Sequence, residues 1–324
     1  MAEIQPLLEE IEQALKALPF PAEPKELYNP IRYTLADGGK RMRPLLVLMG
    51  CKIFSEDVKD AVHPALGIEV FHNFTLLHDD IMDNAPIRRG KPAVHKKWNS
   101  NIAILSGDVM MILAYQELIN TRTEVLRDIL NVFNKTAIEV CEGQQLDMNY
   151  EQQMDVSIAD YLNMIRLKTA VVVGAGLKVG AIIGGGSPAQ AEILYQFGVN
   201  TGLAFQLQDD ILDVYGNSHK VGKQQGGDIL SNKKTFMLLK ALEIANPSQK
   251  QELMKWLDQG LENPKAKIEG VMKIYDELEI RKLAEQKMSE HYALGMQGLQ
   301  ELQGDQKWIS ALRKFTQDLM HRES

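Results

Sequence analysis

The chain has 324 residues, 45% hydrophobic and 24% charged, with a formal net charge of −7. This balance excludes intrinsic disorder, and the acidic surplus excludes a general nucleic-acid binder. Cys51 and Cys141 are too few and too scattered for a disulfide framework or a cysteine metal site, and fit a reducing compartment. From the N-terminus, Ile4, Leu7, Leu8, Ile11 and Leu15 recur at helical spacing and predict an amphipathic helix ended by Pro19, Pro21 and Pro24. No secretory n-region or h-region is visible, so a cytoplasmic location is expected. Phe71, Phe74, His78, Ile81 and Met82 predict a second helix, and further helical stretches are read at about 122–142, 156–183, 190–214, 235–245, 248–260 and 279–302. Alternating strand patterns are nearly absent. No linker interrupts the chain, which reads as all-α: a single domain over residues 1–324 with ten or more helices.

No membrane span is expected, because the longest apolar run considered, Ala170 to Gly186, is broken by Lys178 and six glycines. Gly174-Ala-Gly176-Leu-Lys-Val-Gly180 has the wrong spacing for a dinucleotide loop and no preceding strand. Close helix packing explains it better. His63, His95, His219, His291 and His321 show no metal-ligand spacing and read as ordinary polar residues.

Two acidic clusters, Asp79-Asp80-Ile81-Met82-Asp83 and Asp209-Asp210-Ile211-Leu212-Asp213, each close an apolar helical stretch. Helical geometry sets Asp79 beside Asp83 and Asp209 beside Asp213. A helix C-terminus is itself partly negative, so carboxylates gathered there call for a cation. Oxygen-only ligands suit Mg²⁺, which is commonly bridged by carboxylates to substrate phosphates. Three breaker-rich segments supply positive charge: Asp37 to Pro44 with Lys40 and Arg43, Asn84 to Lys97 with Arg88 and Arg89, and Gly216 to Lys234 with Lys223 and Lys233. Arginine offers a planar fork for phosphate and lysine a mobile point charge. The pairing of acidic clusters with basic loops implies two diphosphate sites, one bridged through metal and one held by cations.

With GGKRMRP ahead of the first DDxxD and RRG behind it, the chain resembles the trans-isoprenyl diphosphate synthases (polyprenyl synthetases) from about Tyr28 to Thr235. The resemblance implies the isoprenoid synthase fold, with helices around a central cavity, and a homodimer. It implies Mg²⁺-dependent condensation of an allylic diphosphate with isopentenyl diphosphate, using two or three ions, with Mn²⁺ able to substitute. Asp79, Asp80 and Asp83 would hold metal from one side, and Asp209, with Asp210 or Asp213, from the other. Arg88, Lys168, Lys223 and Lys233 correspond to allylic-diphosphate ligands. Gly39, Lys40, Arg43, His72 and Arg89 correspond to the isopentenyl-diphosphate cradle, and Phe205 lies near that substrate. Thr169 and Gln206, with the Lys168 carbonyl, would face the reacting carbons. His78, next to Asp79, has no role under this resemblance.

A terpene cyclase would have no use for the cradle, and a non-catalytic partner subunit would tend to lose one aspartate cluster. Both features are present. Product length is expected to be set at Phe71, Phe74 and Thr75, which lie eight, five and four residues before Asp79. One aromatic with a small neighbour, and no insertion in the motif, resembles archaeal-type geranylgeranyl synthases. A twenty-carbon product is expected first and a fifteen-carbon product second.

Overall fold

Side-chain caps or prolines mark the ends of some of the helices. The computed structural model describes residues 3–36, 38–153, 155–216, 226–258 and 263–320. Helix α1 spans Gln5–Ala17, buries Leu7, Ile11 and Leu15, and stops short of Pro19. Helices α2 (Lys25–Ala36), α3 (Met42–Lys52) and α4 (Lys59–Met82) follow. Pro44 sits in the first turn of α3, where its missing N–H is no loss. Next come strands β1 (Ile87–Arg88) and β2 (Lys91–Pro92) and a short helix, α5 (Val94–Lys97). Helix α6 (Ser100–Ile119) starts where Asn99 Oδ1 accepts from Ile102 N at 2.9 Å. Helix α7 spans Thr123–Gln152.

Helix α8 (Ile158–Ile165) opens with a capping box, in which Ser157 and Asp160 each accept a bond from the other's backbone N–H. It runs through a π-helical turn, Arg166–Ala170, into α9 (Val171–Gly184), and α10 follows at Pro188–Tyr215. Further helices lie at Gly227–Leu230, Phe236–Ile244, Pro247–Asp258, Pro264–Glu277, Ile280–Gln300 and Gln306–Met320. The architecture is all-α, and among the described residues β1 and β2 are the only strands.

The chain divides into two compact units. One comprises Met1–Ala137, Val172–Gly198 and Gly298–Phe315, and the other Ile138–Val171, Val199–Gln297 and Thr316–Ser324. In the first, α4 packs along α6, and a Cβ on Gly67 would stand 2.8 Å from the Ala114 carbonyl oxygen. A Cβ on Gly180 of α9 would stand 2.0 Å from the Val47 carbonyl oxygen of α3, so the glycines of α9 serve close packing, as their spacing implies. In the second unit, Lys267 is buried with its Nζ 2.7 Å from Asn232 Oδ1.

Two helical runs, Ser100–Ile119 and Ile158–Gly184, are long and apolar enough to cross a membrane by length and composition. The second of these overlaps the run Ala170–Gly186, and the first has no counterpart in the sequence reading. In Ile158–Gly184, 72% of the most apolar window is buried inside the protein, as in a core helix. In α6 the share is 33%, with Ile104, Leu105, Ile112 and Ile119 exposed.

Candidate active site

The first aspartate cluster ends α4, with Asp83 capping the helix and its N–H bonded to the Asp79 carbonyl. Arg88 reaches into the cluster from the following hairpin. Arg88 Nε donates to Asp80 Oδ1 at 2.9 Å, and Arg88 Nη2 lies 3.4 Å from Asp79 Oδ2. Asp80 is only 4% exposed, and its burial raises the carboxyl above its ordinary range even against the bond from Arg88.

A hairpin aims the arginines. β1 and β2 pair Arg88 with Lys91, leaving Arg89 (φ 51°) and Gly90 (φ 78°) as the two central turn residues. Positive φ at both positions is the two-residue turn whose twist suits a hairpin. The predicted loop is therefore a β-hairpin. Gly39 approaches it closely, since a Cβ there would stand 3.1 Å from both terminal nitrogens of Arg89. His72 feels the same charges. Burial of its ring first, then the guanidiniums of Arg43, Arg89 and Arg88, hold its pKa well below the ordinary value. The first unit thus brings together Gly39, Arg43, His72, Arg88 and Arg89, while Lys40 is exposed.

Arg41, between Lys40 and Arg43, was not singled out in the sequence and proves structural. It is buried in a left-handed conformation (φ 45°) and donates to Glu12 at 2.8 Å, Glu69 at 2.9 Å and the Leu35 carbonyl at 2.8 Å. Beside it, Lys40 is exposed and Arg43 half-buried.

Above the cluster on α4, Phe71 is fully buried. It packs edge-on to Phe133 of α7 at 5.1 Å, and Phe133 packs against Tyr115 of α6 at 5.0 Å. The Phe74 ring lies 5.9 Å from Phe71 and 4.7 Å from His78. Thr75 donates its hydroxyl to the His72 carbonyl at 2.8 Å. The aromatic contacts from α6 and α7 join residues far apart in sequence, and periodicity gives no sign of them.

In the second unit, Lys168 and Thr169 occupy the π turn, a widened geometry frequently found at functional sites. Two glycines make room for it. A Cβ on Gly143 of α7 would stand 2.3 Å from Lys168 N, and one on Gly202 of α10 would stand 2.9 Å from Ala170 Cα. Lys168 Nζ meets Asp147 Oδ2 at 2.6 Å. The second cluster sits near the end of α10. Tyr161 donates its hydroxyl to Asp210 Oδ2, and Gln206 Nε2 donates to Asp210 Oδ1 at 3.2 Å. Burial, then the charge of Asp228, push the Asp210 carboxyl up to about 7, against the opposing pull of Tyr161, Lys233 and Gln206. Asp213 Oδ2 accepts from Asp228 N at 2.9 Å, which ties the cluster to the helix Gly227–Leu230. Gln208 Nε2 donates to the Met320 carbonyl at 2.7 Å, a link from the last helix to the residue before Asp209 that nothing in the sequence signals.

The two motifs share one feature. In each, the second aspartate is turned to protein partners (Asp80 4% and Asp210 5% exposed), whereas Asp79, Asp83, Asp209 and Asp213 keep more open surface. Positions i and i+4 lie on one helix face and i+1 does not. Phe205 is half-buried and Lys233 exposed, and Lys223 lies outside the described residues. Of the histidines read as ordinary, His63 contacts Glu117 at 2.8 Å and His291 contacts Asn200 at 3.4 Å. His95 is instead buried, near enough to Asp80 to feel its charge.

The donor set is all carboxylate oxygen, which suits a hard divalent cation. Among the described residues no group of three or more aspartate, glutamate, histidine or cysteine side chains is placed to hold a metal ion by itself.

The family model for polyprenyl synthetases matches residues 24–276. A short chain isoprenyl diphosphate synthase of Methanothermobacter thermautotrophicus is 42% identical over 238 residues, 73% of each chain. A solved geranylgeranyl pyrophosphate synthase is 42% identical and superposes with a TM-score of 0.94 over 99% of both chains. A polyprenyl synthase from Caulobacter crescentus, solved with calcium and isoprenyl diphosphate, is 25% identical with a TM-score of 0.84 over 100% of this chain and 95% of that one. The cationic hairpin beside one DDxxD, the second DDxxD and these likenesses agree: the chain belongs to the polyprenyl synthetase family.

Proposed function

We propose that this enzyme condenses an allylic diphosphate (dimethylallyl, geranyl or farnesyl) with isopentenyl diphosphate, releasing diphosphate and making geranylgeranyl diphosphate. One observation carries the reading: Gly39, Arg43, His72, Arg88 and Arg89 gather beside the first aspartate cluster, with Arg88 bonded directly into it. A cluster that only ionised a prenyl diphosphate would need no second anion cradle.

Asp79 and Asp83, and Asp209 with support from Asp213, would hold Mg²⁺, two or three ions in all. Bound there, the metal neutralises charge growing on the departing diphosphate. Arg88, Lys168, Lys223 and Lys233 hold the allylic diphosphate. Gly39, Lys40, Arg43, His72 and Arg89 hold isopentenyl diphosphate, with Phe205 beside it. The allylic carbon–oxygen bond breaks, the isopentenyl double bond forms the new carbon–carbon bond, and the departed diphosphate accepts the proton released. The Lys168 carbonyl, Thr169 and Gln206 stabilise the carbocation as dipoles rather than as nucleophiles. Gln206 commits its amide nitrogen to Asp210, which leaves its carbonyl oxygen for that task.

The likeness to a geranylgeranyl pyrophosphate synthase and the Phe74–Thr75 pattern both favour the twenty-carbon product. We take residues 1–324 as one synthase domain, because the unit boundaries fall inside helices α7 and α10 rather than in linkers. A cytoplasmic homodimer fits the apolar stripe of Leu105, Ile112 and Ile119 on α6, which a second copy would cover. Incubation with isopentenyl and dimethylallyl diphosphates plus Mg²⁺, followed by product analysis, tests the proposal. A C20 diphosphate is expected. No condensation product, or a main product of C30 or longer, overturns it.

A further inference from the structure

We infer that His78 is a positioning residue that holds the Phe74 ring in place and thereby sets where chain growth stops. The inference rests on the proposed elongation reaction and on Phe74 as its limit.

Phe74 and His78 are four residues apart on α4, and an edge-on contact at 4.7 Å would be unremarkable if both rings were free to turn. His78 is not free to turn. Its Nε2 lies 3.2 Å from the Ile104 carbonyl oxygen of α6, and a carbonyl can only accept, so Nε2 carries the proton and donates. The ring occupies a slot that exists because residue 107 has no side chain. A Cβ on Gly107 would stand 2.2 Å from His78 Nε2 and 2.6 Å from Cδ2. The imidazole is therefore fixed to α6 by one hydrogen bond and by the shape of the facing helix.

On its other side, Phe74 meets Phe71, whose ring packs on Phe133 at 5.1 Å. Phe74 is thus held between a buried aromatic and a histidine fixed to a second helix. A half-buried ring with open space on one side could swing between rotamers and admit another five-carbon unit. One bounded on both sides cannot. His78 has no need to touch substrate for this effect. It acts through Phe74, and the separation between α4 and α6 enters product length through it.

The test compares product distributions from farnesyl diphosphate and isopentenyl diphosphate for the wild type, His78→Ala, Gly107→Ala, Phe74→Ala and the Phe74→Ala/His78→Ala double variant, with melting curves for each. His78→Ala is expected to raise the C25 to C20 ratio roughly tenfold, the scale on which an apolar pocket discriminates a small change in size. Gly107→Ala, which expels the ring from its slot, is expected to move the ratio the same way. Adding His78→Ala to Phe74→Ala is expected to change nothing further, a result that general loosening of the fold would not give. If Phe74→Ala lengthens the product while His78→Ala and Gly107→Ala leave it at C20, the inference fails and the limit at Phe74 stands. If Phe74→Ala has no effect, the limit lies elsewhere and the inference falls with it. Absence of any product from the wild type refutes the proposed reaction itself.

Discussion

Lys168 Nζ stands 2.6 Å from Asp147 Oδ2, which places a partner from α7 against the lysine carried by the π turn. Both side chains are mostly buried, so the pair fixes the direction of the lysine more than a solvated pair would. Asp147→Ala should raise KM for the allylic diphosphate and lower kcat/KM by roughly 10- to 100-fold, the loss typical of a displaced contact group. Asp147→Asn keeps an acceptor and should lose less. Steady-state kinetics with each substrate varied separately checks this, since KM for isopentenyl diphosphate should move little.

The hairpin turn makes a second prediction. Gly90 at φ 78° follows Arg89 at φ 51°, so a side chain at position 90 strains the turn by about 1 kcal/mol. Gly90→Ala should therefore raise KM for isopentenyl diphosphate through misplacement of Arg89, and Arg89→Ala should raise it further. Unchanged KM in both variants would remove Arg89 from the cradle.

His72 gives a pH dependence of known sign. Its folded pKa is depressed, by burial first and then by Arg43, Arg89 and Arg88, so the unfolded chain takes up the proton more readily. The stability it contributes is present above the unfolded value of about 6.5. It is lost as pH falls below that value, at up to about 1.4 kcal/mol per pH unit. Denaturant midpoints for wild type and His72→Asn should converge as pH drops from 7 to 5.

Tyr161 is fully buried, and its hydroxyl donates to a carboxylate that burial has pushed up to about 7. Tyr161→Phe should lower unfolding stability by about 1–3 kcal/mol, because Asp210 loses a partner in a place water does not reach. Urea unfolding at pH 7 measures it.

The sequence carried the helical class, both acidic clusters and the basic loops, because each is written in local spacing. Residues i and i+4 on a helix need no tertiary knowledge, so Asp79 with Asp83 was legible at once. Partners brought together by folding were not legible. Asp147 lies 21 residues from Lys168, Phe133 lies 62 from Phe71, and Gly107 lies 29 from His78. Helix α6 also escaped, since it carries apolar residues on its buried face and on its exposed one, which leaves little contrast for periodicity to detect. The RRG turn had a local signature, because two central residues with glycine second are typical of hairpins, but its flanking strands are too short to alternate.

The π turn sets the phase between two commitments on one helix. Tyr161 must reach Asp210, and seven residues later Lys168 must reach Asp147. In an unbroken α-helix, residues seven apart lie on nearly the same face, and the wider turn alters that offset. Deleting one residue between Arg166 and Ala170 would restore ordinary helical winding with the flanking segments near their present phase, but would carry Lys168 itself around the helix axis. The helix itself would survive. The two contacts would no longer be met together. Across these five positions, the number of residues constrains the enzyme as well as the identities of Lys168 and Thr169.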